Sequence, residues 1–278
     1  MCRLTAIILL LRPLEVWWIA PFVLIGAGLS LIFPAAAKRP LLWWSVAALI
    51  ALHIAAIWPL SDNHIYLLAY WCLGIGLALA SEDPPATLAR SGRWLLGAAF
   101  AFAVLWKGVL SPDYLDGRFF RVTLIEDDRF ADAVMLVSGL TPQDLVANRK
   151  SLEPLPAGAE LSDPPPLKEP RRFRALVAAL TWGGIVLEGF VAVAFLSPKP
   201  ALLEHARHIA LLAFCVFTYA LAPVAGFGWV IATMGLAQLR RDQGMMRVAY
   251  LSVFFLILLY AEIPWAGLLD SWVRPLSP

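Results

Sequence analysis

Long apolar blocks alternate with short polar connections along this chain. A window of about 20 residues, the length a helix needs to cross the hydrocarbon of a bilayer, picks out eight candidate spans. They lie near residues 14–34, 41–60, 65–81, 93–110, 174–196, 206–221, 222–239 and 248–268. The sixth and seventh form one run, "HIALLAFCVFTYALAPVAGFGWVIATMGLAQL", in which Pro223, Gly226 and Gly228 either split two spans or kink one. The pattern therefore predicts an all-α, polytopic integral membrane bundle of seven or eight transmembrane helices, plus a retained anchor or interfacial helix over residues 4–12. Trp17, Trp18, Trp43, Trp44, Trp58 and Trp265 stand near span ends, where interfacial aromatic belts form.

Polar residues set the orientation. Lys38 and Arg39, Arg90 and Arg93, Lys199 and Arg207, and Arg240, Arg241 and Arg247 all fall on one face of the eight-span arrangement, which the positive-inside rule makes cytoplasmic. The opposite face receives the Asp62–His64 turn and a long segment, residues 111–173, in which 11 Asp and Glu outnumber 8 Lys and Arg. This extracytoplasmic loop divides in two. Residues 111–150 are amphipathic, with "RFADAVMLVSGL" reading as a helix capped by Asp127 or Asp128. Residues 151–173, "SLEPLPAGAELSDPPPLKEPRRF", read as a Pro-rich extended linker. The whole of residues 1–278 reads as one membrane domain.

Composition narrows the function classes. With 60% hydrophobic and 15% charged residues, a soluble enzyme is excluded, and a net charge of +2 without a polybasic run gives no basis for nucleic-acid binding. Cys2, Cys72 and Cys215 are isolated, and no Cys/His metal spacing occurs, so no metal site is expected.

An ionisable residue inside a span costs about 2.5–3.5 kcal/mol on insertion scales, which makes each one a functional candidate. Lys107 lies near the end of the fourth span, either snorkelling to the interface or buried as a general base. His64 starts the third span, where Asp62 or Asn63 caps the helix or Asp62 orients the imidazole. Glu188 sits mid-span in "TWGGIVLEGF", beside Gly183, Gly184 and Gly189, which permit close helix packing. A protonated Glu188 bonded to a neighbouring helix, with His53 as partner, is its structural explanation. His53 and His208 read as packed or interfacial histidines, and Glu262 as a partner for the backbone group freed by Pro264.

Asn63, His64, Tyr66 and Leu67 at the head of a span, followed some forty residues later by Lys107 and then Tyr114, Leu115 and Gly117, resemble the paired motifs of the HTTM family. Its bacterial members are similar to the membrane half of the vitamin K-dependent gamma-glutamyl carboxylases. Glu188 and the Phe227-Gly228-Trp229 stretch follow in the family's order. The resemblance implies a bacterial inner-membrane protein in which the lysine at position 107 deprotonates a reduced quinone and the histidine at position 64 assists, the two forming opposite walls of one extracytoplasmic site. Asp62, Asn63, Glu188 and Tyr114 support them, and the cofactor so implied is the quinol itself. Three departures change the expectation: the Lys107–Gly117 spacing is longer, Tyr114 stands where the family has Trp, and the lumenal substrate domain has no counterpart here. Glutamate carboxylation is therefore not expected. The remaining readings are a quinol-oxidising or lyase-type membrane enzyme, a DoxX-like scaffold that works with a separately encoded protein partner, and a transporter. The last lacks repeated halves and paired broken helices.

Overall fold

The computed structural model describes residues 1–154, 158, 166–198, 200–221 and 225–273. Among them every regular element is helical. In chain order these are α1 (Cys2–Leu11), α2 (Ala20–Ile32), α3 (Pro34–Ala37), α4 (Pro40–Ala56), α5 (Asn63–Leu79) and α6 (Pro84–Leu105), which continues into a π-helical turn (Trp106–Leu110). Then come α7 (Pro112–Leu115), α8 (Arg118–Glu126), α9 (Asp128–Ser138), α10 (Pro142–Leu152), α11 (Arg171–Leu196), α12 (Pro200–Leu221), α13 (Ala225–Ala237), α14 (Gly244–Glu262) and α15 (Trp265–Val273).

Proline placement explains most of the boundaries. It stands in the first turn of α2, α3, α4, α6, α7 and α10, where its missing N–H is not needed. The first apolar block, expected as one span over 14–34, is instead a short helix. Pro13, Glu15 and the exposed Trp17 and Trp18 hold the chain out of helix until Pro21 restarts it. The helix expected at 4–12 is present as α1, paired with α2 in a hairpin. The long run after residue 206 is two helices, α12 and α13; Pro223 itself lies outside the described residues.

Two segments, Pro84–Leu110 and Arg171–Leu196, are long and apolar enough to cross a membrane. Six further apolar helices have 10–17 residues. In the most apolar stretch of each long segment only 17% and 28% of the residues are buried inside the protein. Large side chains accordingly point outward along α11, at Trp182, Val186, Phe190 and Val193, a spacing that forms one face of that helix. Exposed Phe22, Ile25 and Ile32 on α2 and Phe102, Leu105 and Trp106 on α6 do the same.

The helices have two distinct ends. At one, Arg93 donates to the carbonyls of Phe195 and Ser197, Gln243 donates to Glu204, and Met1, Cys2, Pro84 and Arg247 share a cleft. This is the basic end. At the other, α7 to α10 form a cap with its own core of Leu124, Ile125, Phe130, Val134, Leu140 and Leu145, closed onto Phe173 and Val177 in the first turns of α11. The helix expected at "RFADAVMLVSGL" is present as α9, with Asp127 as its N-cap accepting from the Arg129 backbone N–H, and three further helices, α7, α8 and α10, accompany it in the segment. The linker is shorter than expected, because α10 runs to Leu152 and α11 begins at Arg171; most of it lies outside the described residues. Its last residues are anchored: Lys168 exchanges two hydrogen bonds with buried Asn148, and Glu169 pairs with Arg121 at 2.7 Å. α15 returns to this end, packing Gly267 against Asp132 of α9.

Of the tryptophans expected at interfaces, Trp17, Trp18, Trp44 and Trp58 are exposed and Trp265 is half-buried. Trp43 is a correction. It is buried and donates its indole N–H to the Ala37 carbonyl at 3.0 Å, because the short α3 turn folds that carbonyl back over α4.

Two predictions follow from packing and capping. A Cβ on Gly235 of α13 would stand 2.4 Å from the Tyr250 ring of α14, whereas one on Gly28 of α2 would meet nothing within 4 Å. Denaturation in detergent is expected to show Gly235→Ala destabilised by about 1–3 kcal/mol, and Gly28→Ala unchanged or stabilised by up to about 1 kcal/mol. In the cap, Asp144 accepts from Lys168 Nζ at 2.8 Å and closes a reciprocal capping box with Thr141. These bonds hold its carboxyl down at about 2, so its contribution is complete above the ordinary carboxylate range and disappears as pH falls from about 4 to 2. Asp144→Asn should flatten the pH dependence of cap unfolding in that window, read by hydrogen exchange at α10.

Candidate functional site

α6 and α11 lie side by side and antiparallel, as three cross-contacts show. Arg93, midway along α6, meets the end of α11, Val104 faces Gly189, and Lys107 just beyond α6 reaches Glu188. The Lys107 ammonium donates to Glu188 Oε1 at 2.5 Å. Lys107 sits in the π-helical turn, where the extra residue per turn rotates the chain relative to an α-helix. Such turns are rare and recur at functional sites. Serine and proline at 111 and 112 end it, since Pro112 cannot donate to the preceding carbonyls and starts α7 instead.

Tyr114 of α7 completes the cluster. Lys107 Nζ stands 5.1 Å from its ring centroid, a cation–π distance. Its hydroxyl fits over Gly184, where a Cβ would lie 3.0 Å from the oxygen. Burial, and secondarily the Glu188 carboxylate, push the Tyr114 phenol up. Of the three small residues flanking Glu188 in the sequence, Gly184 makes this close approach, Gly189 sits 4.0 Å from Val104 measured from a built Cβ, and Gly183 faces open space.

Glu188 is 7% exposed, and its Oε2 is buried with no hydrogen-bond partner. Its expected link to His53 is not formed. The lysine on the neighbouring helix takes that place, because an ion pair satisfies a buried carboxylate better than a neutral bond. His53 is buried in α4 with Nδ1 unpartnered. His208 is also packed, with Nδ1 at 2.8 Å from the Tyr250 hydroxyl. Glu262 ends α14 exposed and makes no bond to the backbone near Pro264; Ile263 N–H bonds to Leu259 instead.

His64 and Asp62 form a second, separate group. Asp62 occupies the N-cap position of α5 but its side chain accepts no capping bond, and Asn63 is the first helical residue. The Asp62 carboxylate stands 3.8 Å from His64 Nδ1 and also faces Arg129 of the cap. The imidazole lies against Gly226, where a Cβ would come within 2.6 Å of its Cδ2 and Nε2. Two residues on, Gly228 gives the same room to the Tyr219 ring, and Tyr219 feels the charge of Glu188. Gly226 and Gly228 thus each give way to a ring, His64 on one and Tyr219 on the other. No hydrogen bond or ion pair joins His64 to Lys107 or Glu188 among the described residues.

The pattern Gly226-x-Gly228 was legible, but its role as a seat for two rings was not, since Gly226 meets His64 across 162 positions and Gly228 meets Tyr219 only where α12 and α13 fold against each other. A cleft opens near Tyr114, between α7–α8 and α11, lined by Leu115, Gly117, Phe173, Val177, Thr181 and Trp182. Neither Lys107 nor His64 lines it. Compared with known proteins, the chain matches no family model, no curated protein and no solved structure.

The Lys107–Glu188 pair makes a testable energetic unit. Breaking a buried pair from one side strands a charge at a cost of about 3–5 kcal/mol, whereas replacing both partners by apolar residues is close to neutral. With the Lys107 side chain 24% exposed and that of Glu188 9%, the lower end of that range applies. Lys107→Met and Glu188→Leu are each expected to destabilise by about 3 kcal/mol. The double variant should recover most of the loss, as read in a double-mutant cycle by chemical denaturation in detergent.

Proposed function

We propose that this protein is a polytopic membrane protein of the HTTM type. In this reading the Lys107–Glu188–Tyr114 cluster is the centre of a site for a lipid-soluble quinol. The membrane assignment is supported by two long helices whose apolar surfaces are mostly left uncovered by protein, since a helix hydrophobic all round is stable only inside a large core or in lipid. The shorter apolar helices pack around them and supply the remaining spans. The basic end then faces the cytoplasm of a bacterial inner membrane, and the acidic cap lies outside.

The observation that carries the site is the buried Glu188 carboxylate, bonded through one oxygen to Lys107 and through the other to nothing. A carboxylate in that state holds an acceptor ready for a hydroxyl donor. Deprotonation of a quinol hydroxyl proceeds through the pair. Lys107 passes a proton to Glu188, the resulting neutral amine accepts the hydroxyl proton, and Tyr114 covers the ammonium that forms. His64, with the Asp62 carboxylate 3.8 Å from its Nδ1 and its ring seated on Gly226, acts on the substrate rather than on Lys107, to which it is not bonded. Protein glutamate carboxylation is not part of this reading.

The second reading is a DoxX-like scaffold, a partner subunit for a separately encoded protein, and one observation favours it. Lys107 already has a carboxylate and an aromatic face, so the pair by itself suffices to hold α6 against α11. The discriminating experiment is purification in mild detergent followed by identification of co-purifying lipids. It is run for the parent, Lys107→Ala, His64→Ala and the Lys107→Met/Glu188→Leu double variant. A quinone present in the parent and depleted in all three, the double variant being folded, is the expected result. Absence of quinone from every sample, the parent being folded, decides for the scaffold.

A further inference from the structure

At the basic end, far along α6 and α11 from Lys107, a second buried cation has donors without an acceptor. Arg207 of α12 is 7% exposed, its guanidinium carbon lies 5.9 Å from the Phe195 ring centroid, and its Nε and Nη1 are buried without an acceptor. The charged groups that face it are Arg93 and Glu204. Arg93 is a second guanidinium, occupied with the neutral carbonyls of Phe195 and Ser197. Glu204 is shared, accepting from Gln243 Nε2 at 3.0 Å and standing 3.7 Å from Arg240. Two arginines, Arg207 and Arg240, thus share Glu204, while Arg240 also pairs with Asp242 at 3.3 Å. Next to Arg207, His208 uses Nδ1 on the Tyr250 hydroxyl and leaves Nε2 buried and unpartnered.

A buried guanidinium with unsatisfied donors and only a shared carboxylate nearby is costly, and a nearby like charge makes it more so. Removing either cost requires an oxyanion, and guanidinium groups bind phosphate oxygens with charge-assisted bonds. We infer that the junction of α6, α11 and α12 binds a phosphate group through Arg207, backed by Arg93, and that the phosphate belongs to an anionic phospholipid of the cytoplasmic leaflet. The source follows from position. Arg207 lies eight residues into α12, at the end where Arg240, Arg241 and Arg247 also gather, and basic pockets between helices on that side of a bilayer attract anionic head groups. This inference rests on the membrane assignment but not on the quinol chemistry.

The test is apparent melting temperature of the delipidated protein in detergent, with phosphatidylglycerol, phosphatidylcholine of the same acyl chains, or millimolar inorganic phosphate added. Phosphatidylglycerol is expected to raise it by about 3–5 °C and phosphatidylcholine not to. Arg207→Gln should abolish the rise, while Arg241→Gln, at an exposed position of the same end, should keep it. If Arg207→Gln does not fold, Arg207→Lys replaces it and should retain part of the rise, since it keeps the charge and loses the planar fork. An equal rise with phosphatidylcholine, or a full rise in the Arg207 variant, overturns the site. An equal rise with inorganic phosphate alone overturns the lipid as its source. Failure of the membrane assignment reads out separately, as release of the protein from cell membranes by alkaline washing without detergent.

Discussion

One seam organises this protein: the antiparallel contact of α6 and α11, held by charge at both ends. Arg93 binds the carbonyls that α11 leaves unpaired at its last turn, and Lys107 binds Glu188. The two lysine and arginine positions are 14 residues apart, about 21 Å of helix, so between them they fix the register of two helices whose facing surfaces are otherwise apolar. Apolar contact by itself gives little preference for one register over another, because it is non-directional. Polar pairs therefore do the selecting. The close approach needed for them is supplied by small residues, as at Gly97, where a Cβ would lie 2.6 Å from Leu196.

The rest of the architecture is attached to that seam. The first turns of α11 extend beyond the bundle and carry Phe173 and Val177 into the core of the cap. The π-helical turn at the end of α6 leads directly into α7, so the segment that positions Lys107 also positions Tyr114 above it. At the opposite end the last turn of α11 presents Phe195 to Arg207 and its carbonyl to Arg93. The proposed quinol site and the proposed phosphate site are thus two ends of one helix pair. Both contain a charge whose hydrogen-bonding capacity the protein only partly fills.

The two groups singled out by the family resemblance do not form one cluster. Lys107, Glu188 and Tyr114 gather at the α6–α11 seam, while Asp62 and His64 gather at the start of α5 against α13. Gly226 and Gly228 each give way to a ring, His64 on one and Tyr219 on the other.

Helix content, the apolar character of the blocks and the acidic amphipathic segment were legible because each depends on local periodicity and composition. So were the costly polar residues: Lys107, Glu188, His64 and His208 stand out in any apolar run. Where the blocks divide was legible only in part. Pro13 and Pro21 shorten the first span to α2, and the outward-facing Trp17 and Trp18 show why that break is tolerated, but their exposure is a tertiary fact. Partnership was not legible at all. Glu188 bonds to Lys107 across 81 positions and not to His53, and Trp43 turns inward to Ala37 while Trp44 beside it stays half out. The physical reason is that a helical sequence determines which residues share a face, whereas the neighbour met by that face depends on how whole helices pack. Sequence alone placed costly charges in apolar helices, and tertiary structure decided which of them cancel and which, like Arg207 and one oxygen of Glu188, remain open.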